Sequence, residues 1–211
     1  GTPAEEGSCG KVELIKRGGF DNVDLAMMVH PGPGYTLYTA GSAMESCKIK
    51  YLGKNAHAAG APWEGVNALN AVIQAFNNVD AMRQQMKSTW RVHGIILKGG
   101  LKPNIIPDFT ATEWYARAPS ATELEELKKK LNGCFEGAAL QTGCTCEIAW
   151  NHQAHPFFNL QTNSIMAERY REHMAARGVT FRPKAVEQSL TGGSTDMGNV
   201  SWVVPSIQPM F

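Results

Sequence analysis

The order of strands and helices predicted over residues 42–154 constrains the fold of this chain more than any other feature. Glu45–Leu52 alternates polar and apolar residues, as a half-exposed strand does. A long helix is predicted from Pro62 or Trp63 to about Met86, because its apolar residues recur at helical spacing on one face. Two further strands are predicted next, at Trp90–Lys98 and Phe109–Ala118. The first part of this segment is therefore strand, helix, strand, strand.

A second helix and a fourth strand complete the unit. Ser120 followed by Glu123 three residues later is a capping-box pattern, and the helix that it begins is predicted to end at Gly143. Cys144–Trp150 alternates again and is predicted as a strand. The resulting order, β-α-β-β-α-β, is that of a compact two-layer ferredoxin-like domain.

The sequence on either side of this unit has a different hydrophobic pattern, which predicts an α/β domain. Asp24–His30 and Val200–Ile207 are nearly continuous apolar runs, as in strands buried on both faces of a helix-flanked sheet. Helices are predicted at Ser8–Arg17 and Asn163–Arg177. We therefore expect a partial helix-flanked, mostly parallel sheet domain into which the ferredoxin-like unit is inserted. The expected domain limits are 1–41 and 155–211 for the sheet domain and 42–154 for the inserted unit.

Composition and charge give no indication of a nucleic acid or a membrane as partner. The net charge is +1 and the Lys and Arg residues are scattered rather than gathered in a basic stripe. No apolar run is long enough to span a bilayer. Five cysteines, an odd number without a paired framework, favour a reducing compartment, and we expect a cytoplasmic protein.

Two adjacent carboxylates, Glu5 and Glu6, lie in a predicted turn, because Gly and Pro surround them. Neighbouring side chains face one point only where the backbone turns, so both carboxylates can serve a single site. Considered alone, an adjacent acidic pair is more simply explained as solvated. His30 falls at the carboxyl end of a predicted strand, where ligands of open α/β sheets bind, and a ligand or a structural role is equally expected there.

Two loops offer further candidate residues. Gly53–Gly60 is a loop of small residues with His57 at its centre. Thr191–Asp196 is a glycine-rich turn whose backbone N–H groups can hold a carboxylate or a phosphate. Taken alone, the turn is more simply explained as a connector.

These segments together resemble one known family. The resemblance is to the zinc-dependent aminoacylases, carboxypeptidases and amidohydrolases, metallopeptidase family twenty. It rests on Gly1–Gly7 with its two glutamates, the strand-end His30, the inserted unit with its Gly53–His57 loop, and the late turn Gly192–Asp196. The resemblance covers essentially the whole chain. A narrower likeness to aminoacylase-like dipeptidases that cleave β-alanyl-lysine type dipeptides rests on three segments: Arg91–Ile96, Lys102–Pro107 and Gly193–Ser201.

The resemblance implies a metal centre and a role for each of its residues. Glu5 would act as the general base, while Glu6 and His30 would be zinc ligands. Two zinc ions are implied in the complete site. Because His and carboxylate donors do not select sharply among metals, manganese or cobalt is an alternative.

The same resemblance implies roles for residues of the inserted unit and the late turn. His57 would donate a hydrogen bond to the carbonyl oxygen of the scissile amide, in this family usually across a dimer. Asn104 and Arg117 would hold the substrate's terminal carboxylate or backbone, although Arg117 fits a surface-paired strand residue equally well. Three turn residues would line the pocket for the leaving group: Gly193, Ser194 and Thr195.

Part of the family's metal-binding set lies outside these 211 residues. The family takes further ligands from an upstream His-x-Asp segment, an upstream bridging Asp and a His near the carboxyl terminus. The chain also begins with Gly-Thr-Pro-Ala rather than Met. We therefore expect a fragment cut at both ends that binds zinc weakly and is inactive by itself.

Two hypotheses follow for function. The first is part of a metal-dependent amide hydrolase that acts on dipeptides or N-acyl amino acids and forms a homodimer through the inserted lid domain. The second is a non-catalytic dimerisation or peptide-binding protein that retains this domain. Zinc content and metal-dependent release of amino acids distinguish the two.

Overall fold

The structure, a computed structural model, describes residues 9–151, 155–189 and 192–211. These residues form two compact units. The first unit contains the described residues up to Met44, the short segment Ala118–Ala121 and the described residues from His155 onwards. The second unit contains Glu45–Arg117 and the described residues from Thr122 onwards to Asn151. The domain limits expected from the sequence stay a prediction.

The regular elements alternate between helices and strands along most of the chain. In chain order they are α1 (Gly10–Lys16), β1 (Ala26–Met27), β2 (Ala43–Leu52), α2 (Ala68–Met82), β3 (Arg91–Lys98), β4 (Phe109–Ala118), α3 (Ala121–Thr142), β5 (Thr145–Trp150), α4 (Ser164–Ala175), α5 (Lys184–Ser189), α6 (Met197–Ser201) and β6 (Ser206–Ile207). Short 3-10 turns at Pro62–Glu64 and Arg83–Gln85 flank α2.

The second unit has the predicted ferredoxin-like fold. Its four strands lie in the order β3-β4-β2-β5, and both the β3–β4 and the β2–β5 pairs are antiparallel. The register places Arg91 opposite Arg117 and Lys50 opposite Glu147. The prediction of β-α-β-β-α-β from the alternating and helical periodicities is confirmed.

The core of the second unit lies between the sheet and its two helices. Trp114 of β4 is 1% exposed, and its ring lies 4.3 Å from that of Phe76 on α2 and 5.4 Å from that of Phe135 on α3. Because side chains alternate along a strand, the neighbours of Trp114 face away from the helices. We call this second surface the open face; its residues are Arg91, His93 and Ile95 of β3 and Glu113, Tyr115 and Arg117 of β4.

The first unit contains a parallel strand pair flanked by helices, as predicted. Strands β1 and β6 are parallel, with Ala26 opposite Ser206 and Met27 opposite Ile207. One apolar cluster joins α1, β1 and α6 through residues that include Ile15, Ala26 and Val200. The α/β class of this unit is therefore confirmed.

The strand predicted at Asp24–His30 is shorter and less buried than the sequence indicates. Only Ala26–Met27 is a strand, and Leu25 and Met27 are 58% and 56% exposed. An apolar strand is buried on both faces only where other elements cover both of them. Among the described residues, β6 is the only strand beside β1.

The prediction of a buried strand over Val200–Ile207 is wrong for most of its length. Residues Met197–Ser201 form α6 instead, and only Ser206–Ile207 is a strand. The Thr195 hydroxyl accepts a hydrogen bond from the Met197 N–H at 3.2 Å, which satisfies a free donor at the start of the helix. Of the predicted strand, Val200 and Ser201 therefore belong to the end of α6.

The long helix of the second unit begins later and ends earlier than predicted. Pro62 starts a 3-10 turn, Gly65 is extended, and α2 then begins after Asn67. The Asn67 side chain accepts hydrogen bonds from the N–H groups of Leu69 and Asn70, at 2.9 and 3.3 Å. Asn67 is thus the helix cap, and Pro62, which the sequence offers as a first helical residue, begins the 3-10 turn instead.

Candidate active site

The two predicted carboxylates, Glu5 and Glu6, lie outside the described residues. Of the proposed metal ligands, the structure therefore describes His30. Within residues 9–151, 155–189 and 192–211, no three His, Cys, Asp or Glu side chains gather as a metal site requires. Among the described residues, His30 is therefore the proposed ligand whose donor atoms can be compared with those of a metal site.

His30 lies just beyond β1 and is held by main-chain hydrogen bonds on both sides. Its N–H donates to the Pro209 carbonyl at 2.9 Å, and its carbonyl accepts from the Phe211 N–H at 3.2 Å. Its ring Nδ1 is 2.7 Å from the Pro31 carbonyl oxygen. A carbonyl only accepts, so Nδ1 carries the proton and Nε2 keeps a lone pair. Metal-bound histidines commonly have this arrangement, so the His30 ring fits a metal ligand.

The loop that carries His57 is folded back against the segment before α2. Lys54 and Val66 exchange two main-chain hydrogen bonds, of 2.9 and 2.8 Å. A Cβ atom at Gly53 would lie 2.1 Å from the Val66 carbonyl oxygen, so only glycine fits this position. The glycine at the end of β2 thus allows the close approach that shapes the loop.

His57 has the opposite tautomer to His30. Its Nδ1 accepts hydrogen bonds from the N–H groups of Ala59 and Gly60, at 3.2 and 3.0 Å. Two donors require a lone pair on Nδ1, so the neutral ring carries its proton on Nε2. The residue is exposed, and this Nε2–H is a fixed hydrogen-bond donor. The ring suits donation to a carbonyl oxygen, whereas the His30 ring suits coordination.

The structure brings the His57 loop and the Asn104 loop together. The Ala58 N–H donates to the Asn104 carbonyl at 3.0 Å, the Ile106 N–H donates to the Ala56 carbonyl at 2.9 Å, and His57 forms a β-bridge with Ile105. Both loops lie at the end of the sheet where β4 begins, because the Gly53 N–H bonds to the carbonyl of Asp108. The main chain therefore fixes the His57 and Asn104 segments as one group.

Arg117 lies at the opposite end of the same sheet. It is the penultimate residue of β4, eight residues after Phe109, which corresponds to about 26 Å along an extended strand. Burial lowers the pKa of Arg117, but a guanidinium stays charged at neutral pH. Its side chain shares the open face with His93 and Tyr115. The structure thus separates Arg117 from the group formed by His57 and Asn104.

The late glycine-rich turn is anchored inside the first unit. The Gly193 carbonyl accepts a hydrogen bond from the Ser42 N–H at 2.9 Å. Ser194 is half-buried, and Thr195 is 6% exposed with its hydroxyl capping α6. Thr191 lies outside the described residues. The hydroxyl of Thr195 is thus already used in the fold, and Gly193 is the exposed residue of the turn.

Asp196, which ends this turn, has a structural role that the sequence did not reveal. Its side chain is fully buried and accepts the Lys11 N–H at 3.0 Å and the Lys11 ammonium at 2.5 Å. The carboxylate therefore holds the first turn of α1. The sequence signal for such a role was a carboxylate directly before a helix. The sequence could not indicate its partner, because Lys11 is 185 residues away.

Residues 42–143 match the peptidase dimerisation domain family model. Over all 211 residues the chain is 47% identical to the Xaa-Arg dipeptidases of Mus musculus and Homo sapiens. The chain is thus similar to M20 peptidases, and its residues 42–143 correspond to the dimerisation domain of such peptidases. It spans about half the length of these curated relatives, because the alignment covers 48% of each. The chain is also 27% identical to a p-aminobenzoyl-glutamate hydrolase polypeptide of Escherichia coli, of which it covers 54%.

Solved structures of other proteins share the fold. An aminobenzoyl-glutamate utilization protein from Klebsiella pneumoniae gives a TM-score of 0.75 at 22% identity, covering 99% of this chain and 55% of that protein. A dinuclear metal binding peptidase of the M20 family from Bacillus subtilis gives 0.71 at 18% identity, covering 99% and 53%. Separately, no helix in the described part of the chain is both long and apolar enough to cross a membrane.

Proposed function

We propose that this chain is part of a metal-dependent hydrolase that cleaves the amide bond of dipeptides or N-acyl amino acids. The observation that carries the proposal is the pair of opposite histidine tautomers. His30 offers an Nε2 lone pair toward a cation, and His57 offers an Nε2–H toward a carbonyl oxygen. Amide hydrolysis at a metal centre needs both functions. We also propose that the protein is cytoplasmic.

In the proposed reaction, separate residues bind the metal, transfer the proton and orient the substrate. Glu6 and His30 would hold the metal, which is zinc in this proposal, with a second ion in the complete site. The ions would supply acidity to bound water. Glu5 would take the proton from the attacking water and return it to the departing amine. Asn104 and Arg117 would orient the substrate, and Gly193, Ser194 and Thr195 would line the leaving-group side.

The separation of His57 from Arg117 supports a site built from two copies of the chain. About 26 Å of strand lies between the two ends of β4. A dipeptide spans only about 7 Å, so one sheet does not present both side chains to the same substrate. In the proposed homodimer, Arg117 comes from the subunit that also supplies Glu5, and His57 with Asn104 comes from the other subunit.

The edge strand β3 is the proposed contact between the two copies. It is eight residues long and lies at the edge of the sheet, with Ile95, Ile96 and Leu97 exposed by 59%, 48% and 45%. Long, apolar edges are sites of strand pairing. The other edge, β5, has six residues, and its Glu147 forms an ion pair with Lys50. Pairing of β3 with β3 gives a closed two-fold dimer.

A charge on the β3 edge is expected to separate the subunits. The change Ile96→Lys places an ammonium on the edge strand that would pair with its own copy, so like charges meet across the contact and the dimer should weaken by about tenfold or more. Sedimentation velocity measures the monomer fraction against concentration. Leu140→Lys is the matched control, because Leu140 is 85% exposed on α3 of the same unit. A dimer that both variants leave unchanged contradicts the assignment of β3.

The proposed substrates end in a basic residue. Two relatives with 47% identity are named for cleavage before arginine. The test uses a protein that contains this chain and spans the length of these relatives, incubated with β-alanyl-lysine, β-alanyl-arginine and hippurate. We expect amino acid release from the two dipeptides, with hippurate as the comparison that lacks a basic end. This release should stop when a chelator removes the metal and return with zinc, manganese or cobalt.

A non-catalytic dimerisation or peptide-binding protein is the alternative outcome of that experiment. It would dimerise and bind peptide, but it would release no amino acid with any of the added metals. Release that persists in the chelator would also contradict the proposal, because it would not depend on a metal. The 211-residue chain alone, which has only part of the family's ligand set, is expected to show neither tight metal binding nor turnover.

A further inference from the structure

The open face of the second unit contains a cavity to which the proposed reaction, as described so far, assigns no role. Its volume is about 270 Å³, and its lining residues are His93, Gly94, Ile95, Glu113 and Tyr115. Pairing between β3 edges takes place in the plane of the sheet, whereas side chains stand perpendicular to it. The proposed dimer contact therefore leaves the mouth of this cavity uncovered.

Two aromatic rings line the cavity, and a glycine lies between His93 and Ile95 on β3. His93 and Tyr115 lie opposite each other on β3 and β4, with ring centroids 5.6 Å apart in an edge-to-face arrangement. At Gly94, an added Cβ atom would lie 2.4 Å from the ring of Trp114. Any larger residue would thus displace the core tryptophan, so glycine at this position preserves the packing of Trp114 on the helix side of the sheet.

The cavity is acidic at neutral pH. Burial, helped by the charges of Arg117 and Arg83, lowers the pKa of His93, so this ring is neutral. Glu113 is then the charged member of the lining. A carboxylate next to aromatic rings attracts a cation through charge-assisted hydrogen bonds and through the ring faces.

The charges along β4 are complementary to a ligand with one anionic and one cationic end. Arg117 lies four residues after Glu113 on the same face, about 13 Å away along the strand, with Tyr115 between them. Arg91 lies directly opposite Arg117 and adds to the positive end. An amino acid with a free carboxylate and a cationic side chain has the complementary order: anion, apolar stem, cation.

We propose that Glu113 selects substrates whose carboxyl-terminal residue has a cationic side chain, arginine or lysine, by binding the guanidinium or ammonium group in this cavity. Tyr115 and His93 would contact the apolar stem, and Arg117 would hold the carboxylate. The inference rests on the proposed function, in which Arg117 binds the substrate carboxylate. Glu113 is therefore a specificity-determining residue and takes no part in bond cleavage.

Binding of small probes tests this inference without any turnover. Isothermal titration calorimetry on the chain compares N-acetyl-arginine and N-acetyl-lysine with N-acetyl-norleucine, which keeps the carboxylate and the stem but has no charge at its end. We expect both cationic probes to bind about tenfold tighter or more, the usual effect of a hydrogen bond to a charged group. Glu113→Gln, which preserves shape, should remove this preference and leave norleucine binding unchanged.

Glu147→Gln is the matched control. Glu147 is an exposed glutamate opposite Lys50 and on the same face of the sheet, and it should not affect the preference. A cationic preference that survives Glu113→Gln, or no preference in the unchanged chain, would overturn the inference. Metal-dependent amide hydrolysis without a preference that depends on Glu113 would overturn it too, while leaving the proposed function in place. Preference without hydrolysis would support the inference and contradict the proposed function.

Discussion

Replacing His57 by alanine is expected to lower kcat for amide hydrolysis by about a hundredfold to a thousandfold, with little change in KM. The reason is that a fixed donor aimed at the carbonyl oxygen stabilises the negative charge that develops there, and losing one such donor has this effect in other enzymes. The two N–H groups that hold Nδ1 make the His57 Nε2–H such a donor. The measurement is steady-state kinetics on the metal-loaded protein that spans the relatives' length.

His173→Ala is the control for this prediction, because His173 is an exposed histidine in the last turn of α4. It should leave both kinetic constants unchanged. A His57→Gln variant adds a second comparison, since glutamine keeps an N–H donor and should recover part of the lost rate. If His57→Ala retains at least half of the original kcat, the residue has no part in stabilising the transition state.

Replacing Asp196 by alanine is expected to lower the free energy of unfolding by about 3 kcal/mol. The Asp196 carboxylate is fully buried and pairs with a Lys11 side chain that is 16% exposed. Removing one partner of a buried pair leaves the other charge without compensation, which costs about 3–5 kcal/mol, and the partial exposure of Lys11 favours the lower end. Urea unfolding of the chain gives the free energy difference.

The double variant Lys11→Met with Asp196→Ala separates charge from packing. Because no uncompensated ammonium then remains, it should be more stable than Asp196→Ala alone. Asp24→Asn, at an exposed aspartate of the same unit, should change stability by less than about 0.5 kcal/mol. A loss of under about 1 kcal/mol in Asp196→Ala would show that the carboxylate does not hold α1.

The ferredoxin-like unit could be predicted from the sequence because its two layers impose clear periodicities. Phe109–Ala118 alternates between the helix side and the open face over its whole length, and the structure gives the strand these limits. Gly143 was expected to end the preceding helix, and its φ of 73° agrees with a glycine at that position. Local pattern and tertiary packing agree in this part of the chain.

The remaining features depended on contacts between distant segments. The apolar run that begins at Val200 starts inside α6 rather than in a strand, and the partner of Asp196 lies 185 residues away. The tautomers of His30 and His57 depend on which backbone groups surround each ring, which a motif does not specify. Glu113 is different: strand alternation places it on the Arg117 face, so the sequence held that information.

The central claim, that one site combines residues from two copies of the chain, is tested most directly by mixing two inactive variants. His57→Ala and Glu5→Gln are prepared separately in the metal-loaded protein that spans the relatives' length, mixed in equal amounts and allowed to exchange subunits. If His57 acts across the dimer, each mixed dimer regains one intact site, and activity should return to roughly a quarter of the unchanged level. Mixtures that stay as inactive as their components, once subunit exchange has been verified, would contradict the account.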